Sequence, residues 1–121
     1  MRQAGVVAAA GLFALDNMIG RLEEDHATAR RLAAGLRKVA GLQFQEEGPE
    51  TNIVIANVPA GRAREFVAEC RTRGLLAGAS SVRTVRFVTH FGITDSDVDR
   101  AVDIAQQAAR VTLDAATASL I

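Results

Sequence analysis

The first fifteen residues, MRQAGVVAAAGLFAL, constrain the fold of this chain more than any other segment. They carry one charge, and their Ala-rich middle favours a helix. A signal peptide needs a small-residue cleavage site after its apolar core, but Asp16 follows here. A membrane span needs about 20 apolar residues, and this run is shorter. Because a helix that is apolar nearly all round must be buried on most sides, the sequence predicts that residues 1–20 form a linking helix between this domain and another body.

Three further helices are predicted within residues 21–121, which we interpret as one domain. Apolar residues recur at three- and four-residue steps over 22–40, which is the pattern of an amphipathic helix. A second apolar helical face runs over 62–73. The third helix follows the Thr-Asp-Ser-Asp run at 94–97, which has the pattern of a capping box.

Strand patterns lie between these helices. β-branched runs over 51–58 and 82–90 predict two strands, and shorter apolar runs over 42–45 and 75–77 predict two more. Helices and strands in this order predict an α+β fold, with a small, mostly antiparallel sheet covered by helices on one face.

Composition excludes several functions. The 121 residues carry 14 basic and 14 acidic side chains, whereas nucleic-acid binders usually have a basic excess. No polybasic tract indicates a membrane surface. One cysteine, Cys70, permits no internal disulfide and no cysteine-based metal site, and this favours a reducing, cytoplasmic location. Cys70 lies on the apolar face of a predicted helix, so a buried residue is expected rather than a nucleophile.

An arginine in the middle of a predicted strand is the most informative polar residue. Side chains alternate between faces along 82–90, so Val85, Phe87 and Thr89 share one face and Arg86 lies on the other. The planar guanidinium could bind a carboxylate or phosphate through two parallel hydrogen bonds. On pattern alone, an arginine that merely faces water is the more common outcome.

The other candidate residues indicate structural roles. Lys38, the single lysine, is expected in water at a helix end, whereas a Schiff-base lysine needs a desolvated or cationic setting. His26 lies in an apolar helical stripe, and His90 lies at the end of a strand. Two histidines and one cysteine make a metal site improbable, so none is predicted. No residue of this chain is predicted to be catalytic.

Four segments of the chain carry a resemblance to a known family, and in chain order they are MRQAGVVAAAGLFAL, EEDHATARRLAAGL, TNIVIANV and VRFVTHFGITDSDVDRAV. On these segments the resemblance is to the C-terminal part of the threonine aldolases, pyridoxal-phosphate (PLP) enzymes of the aspartate-aminotransferase-like, fold-type I class. Its most specific pieces are the opening Met-Arg-Gln-Ala-Gly and the Arg-Phe-Val-Thr-His run that begins at Arg86. The sequence departs from the family at Phe91-Gly92-Ile93, where an acidic residue is common, and this leaves the substrate preference open.

The resemblance implies that a large domain would lie upstream of this chain and that the residues of the active site would be shared between the two. That domain would hold the lysine that binds PLP, most phosphate contacts and the histidine that stacks on the cofactor. Arg86 matches the arginine that binds the substrate α-carboxylate, and Arg2 matches an arginine near the cofactor. The first helix would link the two domains, and the complete enzyme would be a homo-oligomer.

Three functions follow as hypotheses. The first is a piece of a PLP-dependent aldolase that cleaves β-hydroxy-α-amino acids to glycine and an aldehyde. The second is a stand-alone module that associates with itself or with a partner through its apolar helix. The third is the small domain of another PLP enzyme, either a β-eliminating lyase or an aminotransferase.

Overall fold

The structure, a computed structural model, describes residues 2–45 and 47–114. Within those residues its α-helices are α1 (Ala4–Asn17), α2 (Leu22–Leu36), α3 (Ala63–Thr72) and α4 (Asp95–Ala109). Its strands are β1 (Ile53–Asn57), β2 (Gly78–Ala79) and β3 (Thr84–Val88). Short 3₁₀ turns cover Ile19–Arg21 and Pro59–Gly61, and a π-helical turn covers Arg110–Asp114.

The strands form one antiparallel sheet in the order β1-β3-β2. Ile55 of β1 and Gly78 of β2 both lie opposite Arg86 of β3. Every described strand is therefore antiparallel to its neighbour, and the strand that carries Arg86 is the central one. The predicted α+β class with a small antiparallel sheet is confirmed.

The core lies between the sheet and the helices on one side of it. Helices α2 and α3 pack on the sheet, and α4 packs against both of them. The alternation of each strand sends one set of side chains into this layer. The buried apolar residues include Leu36, Val54, Ala56, Phe66, Val85, Phe87 and Val98.

Helix α1 has no buried residue. Its packing is chiefly against the 3₁₀ turn that follows it, and Val6, Leu12 and Phe13 are each more than half exposed. The apolar helix predicted at this end of the chain is therefore present, and the described residues do not cover it.

No single helix in the described ranges is long and apolar enough to cross a membrane. The pair Ala4–Asn17 and Ile19–Leu36 reaches that length and hydropathy only when it is joined across a bend of 56°.

Most predicted elements are a few residues shorter in the structure, and three differ from the sequence prediction in more than that. The predicted strand over 42–45 is reduced to one bridge between Gln43 and Asn57, because the chain turns at Gly41, whose φ is +95°, and touches β1 at one residue. The strand predicted over 75–77 forms just after it, as β2. Helix α2 ends at Leu36, before the predicted 40. Residues 115–121 lie outside the described residues.

Candidate functional site

The described residues leave the face of the sheet opposite the helices largely exposed. We call this the open sheet face, and its residues are Ile53, Ile55 and Asn57 of β1, Gly78 of β2, and Thr84, Arg86 and Val88 of β3. Ile55 is 54% exposed and Val88 is 46% exposed. β-branched residues favour strands even where they face outward, but a cluster of exposed apolar side chains around one cation is unusual for a purely solvated surface.

Arg86 lies at the centre of the open sheet face. The buried residues before and after it, Val85 and Phe87, confirm the alternation that sends its side chain away from the core. The guanidinium makes no hydrogen bond or ion pair with residues 2–45 or 47–114. It is thus a positive charge on a rigid central strand, with its hydrogen-bond donors unused by the described part of the chain.

Buried hydrogen bonds hold the end of β3 in place. Asn52 precedes β1, and its side-chain amide donates to the carbonyl oxygen of Thr89 at 2.7 Å. The Thr89 N–H donates to the Asn52 carbonyl at 2.9 Å. The Thr89 hydroxyl, on a residue that is 2% exposed, donates to the carbonyl oxygen of Asp25 in α2 at 2.8 Å. Because neutral buried groups need such partners, these bonds fix the strand three residues beyond Arg86.

A second contact ties this point to the turn between α1 and α2. Arg21 donates two hydrogen bonds to the Asp25 carboxylate, at 2.8 and 3.2 Å. Its guanidinium also stacks over the ring of Phe91, 4.8 Å from the centroid. The hydrogen bond to Asp25 raises the pKa of Arg21. The turn between α1 and α2 is thus joined to the end of the central strand. We call Arg21, Asp25, Asn52, Thr89 and Phe91 the strand-end cluster.

The remaining candidates lie apart from Arg86. Arg2 is exposed in the turn before α1, and no hydrogen bond or ion pair joins it to Arg86 in the described chain. His90 is exposed beyond β3, with Nδ1 2.9 Å from the Phe91 carbonyl oxygen. His26 is half-buried, and its Nδ1 lies 3.8 Å from a Glu23 carboxylate oxygen.

The described residues do not by themselves form a site for PLP. Lys38 is exposed, and it lines a shallow groove with Arg31, Asp99 and Asp103 on the helical side of the sheet. Arg86 lies on the opposite face. The lysine of this chain and the open sheet face therefore lie on opposite sides of the sheet.

The described residues also contain neither a reactive cysteine nor a metal-binding cluster. Cys70 is fully buried in α3, as predicted, and burial raises the pKa of its thiol to about 12. A thiol with so high a pKa is a poor nucleophile near neutral pH. Across residues 2–45 and 47–114, no three His, Cys, Asp or Glu side chains are placed to hold a metal ion.

Sequence reasoning identified Arg86 and the faces of its strand but missed the strand-end cluster. A signal for part of it was present, because Arg21 and Asp25 have the four-residue spacing of a helical ion pair. Thr89 was placed on the core face, where a hydroxyl needs a partner. The identity of that partner depends on the packing of α2 and has no local signature.

Comparison with known sequences gives consistent relatives. The sequence model of the family described as beta-eliminating lyase matches residues 1–60. The chain is 36% identical over 102 residues to a probable low-specificity L-threonine aldolase 2 of Arabidopsis thaliana, covering 82% of this chain and 29% of that protein. It is 37% identical over 94 residues to a low specificity L-threonine aldolase of Escherichia coli, covering 78% of this chain and 27% of that protein. The chain thus spans less than a third of these relatives.

Solved structures share the fold. A lysine aminotransferase from M. tuberculosis, in its internal aldimine form, superposes with a TM-score of 0.65. The alignment covers 89% of this chain and 24% of that one, at 19% identity. At this identity the likeness concerns the fold alone.

Proposed function

Because the chain is threonine aldolase-like and has the fold found in fold-type I PLP enzymes, we propose that it is the small-domain part of a PLP-dependent lyase. The complete enzyme would cleave β-hydroxy-α-amino acids to glycine and an aldehyde. The chain covers less than a third of its aldolase relatives, so a large domain encoded outside this sequence would supply the cofactor site and its lysine.

The position of Arg86 carries this proposal. An amino acid substrate brings a carboxylate, and a planar guanidinium binds a carboxylate through two parallel hydrogen bonds. Arg86 offers such donors from the central strand, on a face that the described helices leave open. A group on a strand held from both sides can position a ligand more rigidly than one on a loop.

The role of this chain in the reaction is binding and orientation. In the cleavage, the Cα–Cβ bond breaks, the β-hydroxyl loses its proton to a base, and the Cβ–O group becomes the aldehyde. The Cα carbon then gains a proton and leaves as glycine. A substrate carboxylate bound to Arg86 would determine which bond at Cα faces the cofactor site of the large domain. This orientation would lower the activation barrier, although the arginine itself takes no part in bond breaking.

Two further assignments belong to the same proposal. Arg2 would lie near the cofactor once the large domain is present. Helix α1 would be covered by that domain and by a second subunit of a homo-oligomer. The exposed apolar side chains of α1 support this arrangement, because such a surface is normally buried against another body.

The first test uses the longest open reading frame that contains this sequence. Its product is expected to bind PLP and to release glycine and acetaldehyde from threonine, whereas the purified 121-residue chain is expected to release none. Removing one partner of a buried charged pair costs about 2–5 kcal/mol, so Arg86→Gln should raise the KM for threonine by about 30-fold or more.

A matched control is Arg83→Gln, which removes an exposed arginine from just before the same strand. It should leave KM within about two-fold of the wild-type value, as expected for a surface charge. Equal KM values for Arg86→Gln and the wild type would refute the carboxylate role. Absence of threonine cleavage by the complete product would refute the aldolase assignment.

Another PLP reaction is the nearest alternative, and the beta-eliminating lyase match over residues 1–60 favours it. Products separate the reactions. Elimination from threonine yields ammonia and a 2-oxo acid, and amino-group transfer requires a second 2-oxo acid. Glycine with an equal amount of acetaldehyde is expected only for the aldolase.

A self-associating module is the second candidate function, favoured by α1. If the chain acts alone, its exposed helix should join copies of the chain at micromolar concentration. Sedimentation should then show oligomers for the wild type and a monomer for Phe13→Glu, whose side chain is 62% exposed. Ala27→Glu adds the same charge to an exposed position of α2 and should stay oligomeric. A wild-type monomer would refute this function.

A further inference from the structure

Arg86 has a large side chain beside it on one neighbouring strand and a glycine beside it on the other. Residues directly opposite one another in antiparallel strands project from the same face, with Cβ atoms about 5 Å apart. On the β1 side this neighbour is Ile55, and on the β2 side it is Gly78. Arg86 therefore has an aliphatic wall along one side of its side chain and no side chain along the other.

The described structure does not require glycine at this position. Gly78 lacks the positive φ found at Gly41, Gly61, Gly74 and Gly92, so its backbone would accept another residue. A Cβ atom added to Gly78 would meet nothing within 4 Å. Glycine weakens a strand, and within strands it often marks a point where a ligand or another backbone approaches closely.

We propose that Gly78 keeps the β2 side of Arg86 open, so that the carboxylate of an amino acid substrate reaches the guanidinium over this glycine. The inference rests on the proposed function, since it specifies the approach to the same arginine. Ile55 would close the opposite side and hold the aliphatic part of the arginine upright. Gly78 would then be a specificity-determining residue that touches no reacting atom.

Side chains of increasing length at position 78 test this inference in the complete enzyme, because each rises further above the sheet. An arginine side chain extends well above the Cβ layer, so a methyl group at position 78 reaches only its lower part, whereas a leucine reaches further toward the guanidinium. We expect the KM for threonine to rise in the order Gly78→Ala, Gly78→Val, Gly78→Leu. The last should reach about ten-fold or more, with a smaller change in kcat.

The inhibition constants of the two products are a second measurement, and a change in protein stability alone would not alter them selectively. Glycine carries the carboxylate and acetaldehyde does not. The inhibition constant of glycine should therefore rise with KM across the series, while that of acetaldehyde should stay constant. Ala79→Leu is the matched control, because it places the same leucine side chain on the same short strand but on the other face. It should leave both constants unchanged.

Failure of this inference differs from failure of the proposed function. If Arg86→Gln raises KM but the Gly78 series does not, the aldolase role stands and the open approach is wrong. If Gly78→Leu lowers the melting temperature of the complete enzyme while Gly78→Val and Gly78→Leu leave the glycine constant unchanged, the position accommodates another part of the protein and the inference is overturned. If Arg86→Gln leaves KM unchanged, the carboxylate role of Arg86 is refuted and this inference with it, whereas the aldolase assignment is decided separately by threonine cleavage.

Discussion

Replacing Thr89 by valine removes a buried hydrogen bond from the strand-end cluster, together with a longer contact of the same hydroxyl to the Asn52 carbonyl oxygen at 3.4 Å. The Thr89 hydroxyl donates to the Asp25 carbonyl oxygen at 2.8 Å, and the residue is 2% exposed. Valine keeps the size and β-branched shape but has no donor. Asp25 lies in the first turn of α2, where its carbonyl oxygen can still accept a backbone hydrogen bond within the helix. In the valine variant this oxygen therefore loses one of its two hydrogen-bond donors.

The expected loss in unfolding free energy is about 1–2 kcal/mol, the range for a buried hydrogen bond whose acceptor keeps one partner. Urea unfolding of the 121-residue chain measures it. With an m-value of about 2 kcal/mol per molar urea, the midpoint should fall by about 0.5–1 M while the slope stays constant.

Thr28→Val is the matched control. The Thr28 hydroxyl donates to the Glu24 carbonyl oxygen, also at 2.8 Å, but this bond is exposed to water. Threonine and valine have similar helix propensities, so this variant should change stability by about 0.5 kcal/mol or less. Equal midpoints for the two variants would refute the view that burial makes the Thr89 hydroxyl important.

Further measurements examine other parts of the fold. Burial raises the pKa of the Cys70 thiol in the folded chain to about 12, so iodoacetamide should leave Cys70 unmodified at about pH 8 until urea unfolds the chain. The free energy of unfolding should decline above about pH 9, where the thiol of the unfolded chain ionises and that of the folded chain does not. Rapid labelling of the folded chain would contradict this explanation. Thr94→Ala removes the hydroxyl half of the capping box of α4 and should cost about 1 kcal/mol at neutral pH. The Thr94 N–H and hydroxyl both lower the pKa of Asp97, and the variant loses only the hydroxyl, so part of this loss should disappear as the pH falls below the unfolded value of about 4; a pH-independent loss would contradict it. Gly35→Ala should destabilise by about 1–3 kcal/mol despite a better helix propensity, because its Cβ would lie 2.5 Å from a methyl carbon of Val102. Adding Val102→Ala should relieve that clash, and an equally unstable double variant would refute the explanation.

The faces of the strands could be predicted from the sequence because they depend on local alternation. Val85 and Phe87 are buried and Arg86 is exposed, as the period of two requires. The capping box of α4 was also predicted, since its two partners lie three residues apart. These features need no knowledge of which elements meet in space.

The strand-end cluster could not be predicted in the same way. The bond from Thr89 to Asp25 joins residues 64 positions apart, and the bonds to Asn52 join residues 37 positions apart. Such contacts depend on the strand order and on how α2 lies across the sheet. The short strand near residue 78 was misplaced for a related reason, because its pairing to β3, and not its own apolar content, decides where it forms.

The central position of β3 also determines when the sheet can form. Strands β1 and β2 precede it in the chain and do not touch each other, so every hydrogen bond between the described strands involves β3. During synthesis, the two outer strands leave the ribosome without a partner. The surface that supports Arg86 can therefore form only after β3, the strand that bears the arginine, has been synthesised. A chain that stops before Thr84 would therefore lack a sheet altogether, rather than having a smaller one.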